Sequence, residues 1–534
     1  MIRSIKRSAI SGIAVIGLSC AVAPAPASAS APPTVVVTGG EISGFAAEGV
    51  VKYLGIPFAA PTGGDARFRA PRPPAPWPSV RPALDHGPLC PQNGYLPGTP
   101  PTGPTSEDCL TIDLYVPEDA RDRNLPVMVF FHGGGYVTGS NSQYDAPSRM
   151  VAEGGVIVAV PNYRLGPFGF MSLPELAAES DGATGTVGIQ DQQAALRWVH
   201  DNASAFGGDP GNVTIFGESA GGGSVCTHLA APGSDGLYHK AIVQSGSCAQ
   251  SPLVPGTRAD AFTRSQRYAE SVGCGDPATQ LACLRTLPAA KLLDSPTVQF
   301  DGPVPIWVPS IDGVVVTRTL DVALEVDDRK IPLIIGSNGD EGALFVAESD
   351  YARGHAPDAA SYERYVRQQF GPYADRVLAE YPLDRYPAPA AAQSAVITDG
   401  LFACPALFTS RVARDTGHPL WQYEFDQAPF GDANPVLPGA FHSAELPYLF
   451  TGLMGVPIPW TGASDAFARQ MQRWWTTFAH TGDPNGPGLP EWSAWPESGD
   501  QADGAVLLMR ATGSTMSHDF AARHRCGFWS QLPG

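Results

Sequence analysis

Val213-Thr214-Ile215-Phe216-Gly217-Glu218-Ser219-Ala220-Gly221-Gly222 is the stretch on which the fold is decided. Val213 to Phe216 reads as a buried strand, and the segment from Ala220 to Leu229 can be helical. Between them stands the pattern G-x-S-x-G. A serine at a strand-to-helix turn is pushed into a strained backbone conformation, and small flanking residues let neighbouring backbone approach it. The pentapeptide alone is only suggestive. At the end of a buried strand it is far more specific, and it marks Ser219 as a candidate nucleophile.

Upstream, the apolar run Val127-Met-Val-Phe-Phe131 leads into His132-Gly133-Gly134-Gly135-Tyr136. Negative charge that develops on an oxygen during acyl transfer is held by converging backbone N–H groups, and glycines permit that convergence. A phosphate-binding loop would also use glycines, but no Lys follows and the chain is strongly acidic.

Further apolar runs continue the strand series: Val156–Val160, Ala241–Gln244, Pro332–Ile335, Trp421–Phe425 and Ala505–Met509. They are nearly continuous rather than alternating, as strands covered on both faces should be. A helix is expected over Gln190 to Ala205, stopped by Phe206-Gly-Gly-Asp-Pro210. Pro71 to Pro104 is Pro/Gly-rich loop, and Ser251 to Pro332 is a long connection, helical in places. The fold class is therefore α/β: a mainly parallel, doubly wound central sheet with helices on both faces and large loop and helical insertions. No Gly/Ser or charged linker divides the chain, so residues 30–534 read as a single domain.

A serine hydroxyl needs a histidine to take its proton and a carboxylate to orient that histidine. In α/β-hydrolases both follow the serine in the chain, carboxylate first. Gly339-Asp340-Glu341-Gly342 follows the strand at Pro332–Ile335, and His442 follows the strand at Trp421–Phe425. Among eleven histidines, His228 and His239 lie too near the serine, and His480, His518 and His524 fall late. Spacing selects His442 and leaves Asp340 and Glu341 both open.

Arg3, Lys6 and Arg7 precede an apolar run from Ala9 to Ala23, and Ala27-Ser28-Ala29 has the form of a processing site. Residues 1–29 read as a secretory signal peptide, which places the mature chain outside the cell. No later segment reads as a membrane span. The formal net charge is −18, and the leader carries only basic residues, so the remainder is more acidic still. A nucleic-acid partner, which needs clustered Lys and Arg, is disfavoured. Eight of the nine cysteines lie beyond the leader in an oxidising compartment, where disulfides are expected. Cys90/Cys109 and Cys274/Cys283 would close short loops, although sequence alone fixes no pairing. No metal-site spacing and no cofactor motif occurs.

The residues resemble those of the type-B carboxylesterases, a group that includes bacterial secreted esterases, fungal lipases and the cholinesterases. The resemblance runs from about Val35 to Trp529 and rests on Tyr53-Leu-Gly-Ile-Pro-Phe58, Arg67-Phe-Arg-Ala-Pro71, Ser106-Glu-Asp-Cys-Leu110, Asn162-Tyr-Arg-Leu-Gly166 and the run Gly188 to Gly222. It implies a Ser-His-Glu triad of Ser219, His442 and Glu341. The glutamate is that of a D-E-G motif, and the histidine precedes Glu445-Leu-Pro-Tyr-Leu-Phe450. It also implies an oxyanion hole from the N–H groups of Gly134, Gly135 and Ala220, with Glu218 and Ser245 supporting the triad. Cys90–Cys109, Cys274–Cys283 and Cys404–Cys526 match bridges of the family, whereas Cys226 and Cys248 match none.

The activity implied by this resemblance is hydrolysis of a small-molecule carboxylic ester through an acyl-enzyme, slowing as His442 protonates near pH ~6–7. A lipase acting on longer acyl chains is the alternative within enzymes, and a neuroligin-like adhesion protein is the alternative outside them. No Trp lies between Cys90 and Cys109, and Tyr95 is the one aromatic residue there, which disfavours choline esters. Pocket residues are expected from Pro91–Thr105 and Phe300–Ile311. Oligomeric state is left open; a monomer is consistent with the sequence.

Overall fold

The apolar runs become strands of one sheet. In the computed structural model, which describes residues 32–532 apart from 96–98, 145–146, 247, 250–254, 296–306, 352–353, 432–433, 435, 454–455 and 497–502, that sheet has eleven strands. They are β1 (Phe45–Ala47), β2 (Val50–Pro57), β3 (Thr111–Pro117), β4 (Leu125–Phe131), β5 (Ile157–Pro161) and β6 (Gly208–Glu218). The series continues with β7 (Lys240–Gln244), β8 (Leu333–Asn338), β9 (Leu420–Phe425), β10 (Val506–Met509) and β11 (Thr515–Ser517). The expected signal peptide lies outside the described residues.

In space the strands run β1-β2-β3-β5-β4-β6-β7-β8-β9-β10-β11. From β5 to β10 neighbours are parallel. β1 to β3 at one edge and β11 at the other are antiparallel. The chain steps from β4 outward to β5, then returns past β4 to lay down β6. At such a switch point the loops leaving the carboxyl ends of two adjacent strands diverge and open a crevice. Those two loops are His132–Tyr136, after β4, and the Ser219 turn, after β6.

Six helices matter for the site: α1 (Val187–Asn202), α2 (Ala220–Leu229), α3 (Gly342–Ser349), α4 (Cys404–Asp415), α5 (Leu446–Phe450) and α6 (Gly462–Thr481). Successive strand side chains point to opposite faces. Val127, Val129 and Phe131 of β4 therefore join one core with Leu196 of α1 and Val225 of α2, while Met128 and Phe130 join another with Phe467, Trp474 and Trp475 of α6. Both faces are covered, which is why the strands read as continuous apolar runs. Each large side chain so buried contributes about 1.5–3 kcal/mol.

The continuous helix Pro389–Asp415 is long and apolar enough to cross a membrane, yet 67% of its apolar window is buried inside the protein. Its Ala392, Val396, Phe402 and Leu407 are core residues. The helix widens to π geometry over Thr398–Ala403, a distortion that often marks a functional region. Here Thr398 Oγ accepts the Gly342 N–H at 3.0 Å, and Phe402 packs on His442.

Cys90–Cys109, Cys274–Cys283 and Cys404–Cys526 are bridged, and so are Cys226 and Cys248, whose pairing the sequence left open. The last bridge ties α2 to the loop after β7. Its 22-residue separation predicts a stabilisation of about 3 kcal/mol through restriction of the unfolded chain. A Cys226→Ala/Cys248→Ala protein is expected to lose roughly that much in denaturant unfolding, with the same fold by circular dichroism.

Candidate functional site

Ser219 is the single residue between β6 and α2, with φ 58° and ψ −124°. This conformation costs a residue with a side chain on the order of 1–3 kcal/mol. Neighbouring backbone holds it: the Ser219 N–H donates to Gln244 O at 2.9 Å, and Gly223 N–H donates to Ser219 O at 2.9 Å. The flanking glycines are required by contact. A Cβ on Gly217 would stand 2.5 Å from Gly221 C and 2.9 Å from Phe131 O, and one on Gly221 would collide with Phe131 O.

The glycine loop passes directly over the serine. A Cβ on Gly133 would lie 3.1 Å from Ser219 Cβ and 2.8 Å from Glu218 Oε2. Gly134 (φ 102°) and Gly135 (φ 60°) then turn through left-handed backbone. Among the described residues, no acceptor takes the N–H groups of Gly134, Gly135 or Ala220. Ala220 opens the ten-residue helix α2, whose N-terminal dipole favours negative charge. His132 is not a proton carrier here: it stacks on Tyr163 with ring centroids 4.3 Å apart, and burial lowers its pKa to about 4.

On the far side of the crevice, the loop between β8 and α3 carries two adjacent carboxylates with different tasks. Glu341 Oε2 accepts His442 Nδ1–H at 2.6 Å, and its Oε1 accepts Asn338 N–H at 2.7 Å. Asp340 clamps the histidine's loop instead: its N–H donates to Ala440 O at 2.9 Å, and its Oδ2 accepts Ala440 N–H at 3.0 Å. Gly439 (φ 65°) has no room for a Cβ beside that carboxylate. Geometry thus separates the two acids that spacing left equivalent.

His442 is 2% exposed and packs against the stacked pair Phe345 and Phe402, each ring centred 4.9 Å away. With Nδ1 bound to Glu341, Nε2 is the nitrogen left without a hydrogen-bond partner. Burial alone would lower this imidazole's pKa, but the carboxylates of Glu218, Glu341 and Glu445 and the Glu341 hydrogen bond outweigh it, and the pKa is raised. Burial raises the Glu218 pKa, against the pull of His442, and raises that of Glu445 as well.

Glu445, quoted in the sequence only as part of a motif, proves to be a wholly buried anchor. It accepts Gln244 Nε2–H at 3.0 Å and Asn338 Nδ2–H at 2.7 Å, and Trp475 Nε1–H reaches Gln244 Oε1 at 3.2 Å. Ser245 is also buried (φ 48°), with its N–H on Gly336 O at 2.9 Å. Its hydroxyl has no hydrogen-bond partner, and among the described residues it makes no hydrogen bond to Ser219, Glu341 or His442.

Ser219, His442, Glu218 and Ser443 line one cavity of about 160 Å³ with Gly133, Gly134, Tyr95 and Tyr144, walled by Leu344, Leu437, Phe441 and Leu446. Of the two loops expected to form the pocket, the first supplies Tyr95, and 296–306 of the second lies outside the described residues. A larger cavity, about 570 Å³, is lined by Asp340, Asp399, Glu424, Arg523 and His524 and includes neither Ser219 nor His442. There His524 is fixed between Asp399 (2.7 Å) and Glu424 (3.1 Å). Against the opposing effect of burial, those carboxylates raise its pKa to about 10, making it a structural cation. We place the candidate site at the smaller cavity, where Ser219, an unbonded imidazole nitrogen and N–H groups without acceptors among the described residues coincide. No cluster of ligands suited to a metal ion occurs among the described residues.

Comparison with known proteins identifies the family. The profile of the Carboxylesterase family matches residues 31–529. The chain is 36% identical over 473 residues to a para-nitrobenzyl esterase of Bacillus subtilis (strain 168), covering 86% of this chain and 91% of that one. It is 35% identical to human carboxylesterase 5A, covering 83% and 79%. A solved PNB esterase structure superimposes with a TM-score of 0.76 at 33% identity, covering 93% of this chain and all of that one.

Gly221→Ala is expected to abolish turnover of p-nitrophenyl esters, because the new methyl strikes Phe131 backbone beneath Ser219. Gly527→Ala, which meets nothing within 4 Å, should leave the rate unchanged. Steady-state rates of the two purified proteins check both outcomes.

Proposed function

The chain belongs to the carboxylesterase family and is an enzyme of carboxylic-ester hydrolysis, and from that premise we propose that it works through Ser219, His442 and Glu341 as a secreted esterase for small neutral esters. His442 Nε2 takes the Ser219 proton as the hydroxyl oxygen attacks the ester carbonyl. The N–H groups of Gly134, Gly135 and Ala220 receive the negative oxygen. The tetrahedral species collapses, the alcohol leaves with the proton returned by His442, and water activated by the same nitrogen frees the acid. Glu341 holds the imidazole's orientation and stabilises its cation.

The observation that carries this reading is the 2.6 Å bond between Glu341 and His442 Nδ1, which leaves Nε2 unbonded in the cavity that contains Ser219. Ser219→Ala is expected to lower kcat by a factor on the order of 10⁶, with the serine of the wild-type protein labelled by a fluorophosphonate. Turnover retained by Ser219→Ala would overturn the role given to the serine, whereas absence of both turnover and labelling in the wild-type protein would favour the adhesion-type alternative.

Protonated His442 is inactive as a base, and its carboxylate neighbours favour that form. The active form therefore appears only as pH rises through the raised value. The acid limb of kcat/KM should lie above the ~6.5 of an unperturbed imidazole, higher than the sequence alone suggested. A midpoint at or below ~6 in a pH series would sink His442 as the base in this environment.

A cavity of about 160 Å³ is small beside the ~300–1,000 Å³ of pockets for drug-sized ligands. This favours short acyl groups over the lipase reading, and the aromatic alcohol named in the Bacillus relative suits the cavity's apolar wall. Rates across p-nitrophenyl esters should fall from butyrate to palmitate; a maximum at long chains would reverse the assignment. Four disulfides suit an oxidising compartment, and the mature protein should begin after Ala29 by N-terminal sequencing of culture medium.

A further inference from the structure

Ser443 follows His442 directly and has φ 69°, left-handed backbone that a Cβ disfavours and a glycine adopts freely. What serine adds over glycine is a hydroxyl, and that hydroxyl donates to Glu218 Oε1 at 2.6 Å. The same oxygen stands 3.2 Å from His442 Nε2, yet no hydrogen bond joins them. The other oxygen, Oε2, faces the Gly133 backbone. One buried carboxylate oxygen thus has two neighbouring donors, and the serine holds the bond. Such an O–H···O⁻ contact is short and strong, and it fixes the carboxylate's orientation.

We infer that Ser443 is a positioning residue: its bond to Glu218 fixes that carboxyl group's orientation and favours its charged form beside His442 Nε2, while preventing it from capturing the nitrogen that must face Ser219. The inference rests on His442 being the base. If Glu218 were free to turn, an imidazolium would bond to it rather than return its proton to the leaving alcohol. If Glu218 were protonated, the imidazolium would lose its nearest counter-charge at Nε2. Ser443 guards against both, which gives a physical reason for a strained non-glycine residue in the cavity wall.

The charge balance around the pair is defined. Glu218 is faced by His442, Glu341 and Glu445, and by the phenols of Tyr95, Tyr144, Tyr163 and Tyr423. His442 is faced by Glu218, Glu341, Glu445 and Glu348. Within this set the Ser443 bond favours the ionised form of Glu218, and ionised Glu218 favours the protonated form of His442. Deleting the hydroxyl therefore leaves Glu218 protonated to higher pH, removes negative charge from the imidazole, and lets His442 release its proton at lower pH.

The test is the pH profile of kcat/KM on p-nitrophenyl butyrate for the full chain and for Ser443→Gly, Ser443→Ala, Glu218→Gln and Glu218→Gln/Ser443→Gly. Both serine variants should move the acid limb down by about 1 pH unit, the scale of one hydrogen bond to a charged group. KM should stay within about twofold. Ser443→Gly relaxes the backbone, so it folds even where Ser443→Ala is strained. In the Glu218→Gln background the glycine substitution should shift nothing further. An unmoved limb in Ser443→Gly, or the same shift in the Glu218→Gln background, overturns the role given to Ser443. Failure of the triad reading looks different: it is turnover retained by Ser219→Ala or His442→Ala.

Discussion

The closeness of three backbone segments at the carboxyl ends of β4 and β6 is the constraint on which the rest depends. Phe131 O, Gly133 and the Ser219 turn approach so nearly that no Cβ fits at Gly217 or Gly221 without displacing backbone. This contact forces Ser219 to a positive φ, stands the glycine loop over it, and leaves the N–H groups of Gly134, Gly135 and Ala220 without acceptors among the described residues. The sheet supplies the setting, because β4 and β6 are neighbours although β5 comes between them in the chain. Strain at a single residue persists when its surroundings over-determine it. Here the surroundings are a sheet covered on both faces and a disulfide from α2 to the loop after β7.

A second organising feature is electrostatic. Glu218, Glu341 and Glu445 are all essentially buried around one imidazole. Isolated charges would be costly there, and each carboxylate meets the cost through named donors: Ser443 for Glu218, His442 and the Asn338 N–H for Glu341, Gln244 and Asn338 Nδ2 for Glu445. Asn338 thus serves two of the acids, one from its backbone and one from its side chain. These carboxylates favour the protonated form of the imidazole, so under the proposed mechanism they would stabilise its cation at the expense of a base less ready at low pH.

Much of this was legible in the chain. Val213–Phe216, Val127–Phe131 and the later apolar runs are strands of the sheet, with boundaries moved by a few residues. Local steric demands wrote the elbow into consecutive residues, so Ser219 and its glycines could be found without a fold. The antiparallel edge strands were missed: β1 and β11 are each three residues long and carry little pattern, and the longer β2 and β3 were not read as strands either. The apolar helix Pro389–Asp415 gave no usable signal of its place either: composition cannot tell a core from a bilayer.

The amino-acid sequence by itself therefore determined the α/β order, the serine turn and the glycine loop, each a matter of backbone propensity and near neighbours. Spacing pointed to His442, and family resemblance settled that choice and added Glu341. Only the tertiary structure decided that Asp340 clamps a loop while Glu341 meets the imidazole, that Cys226 pairs with Cys248, and that Ser443 reaches Glu218 across 225 residues of chain. Those outcomes depend on side-chain direction and on contacts between distant segments, and neither is encoded in local pattern.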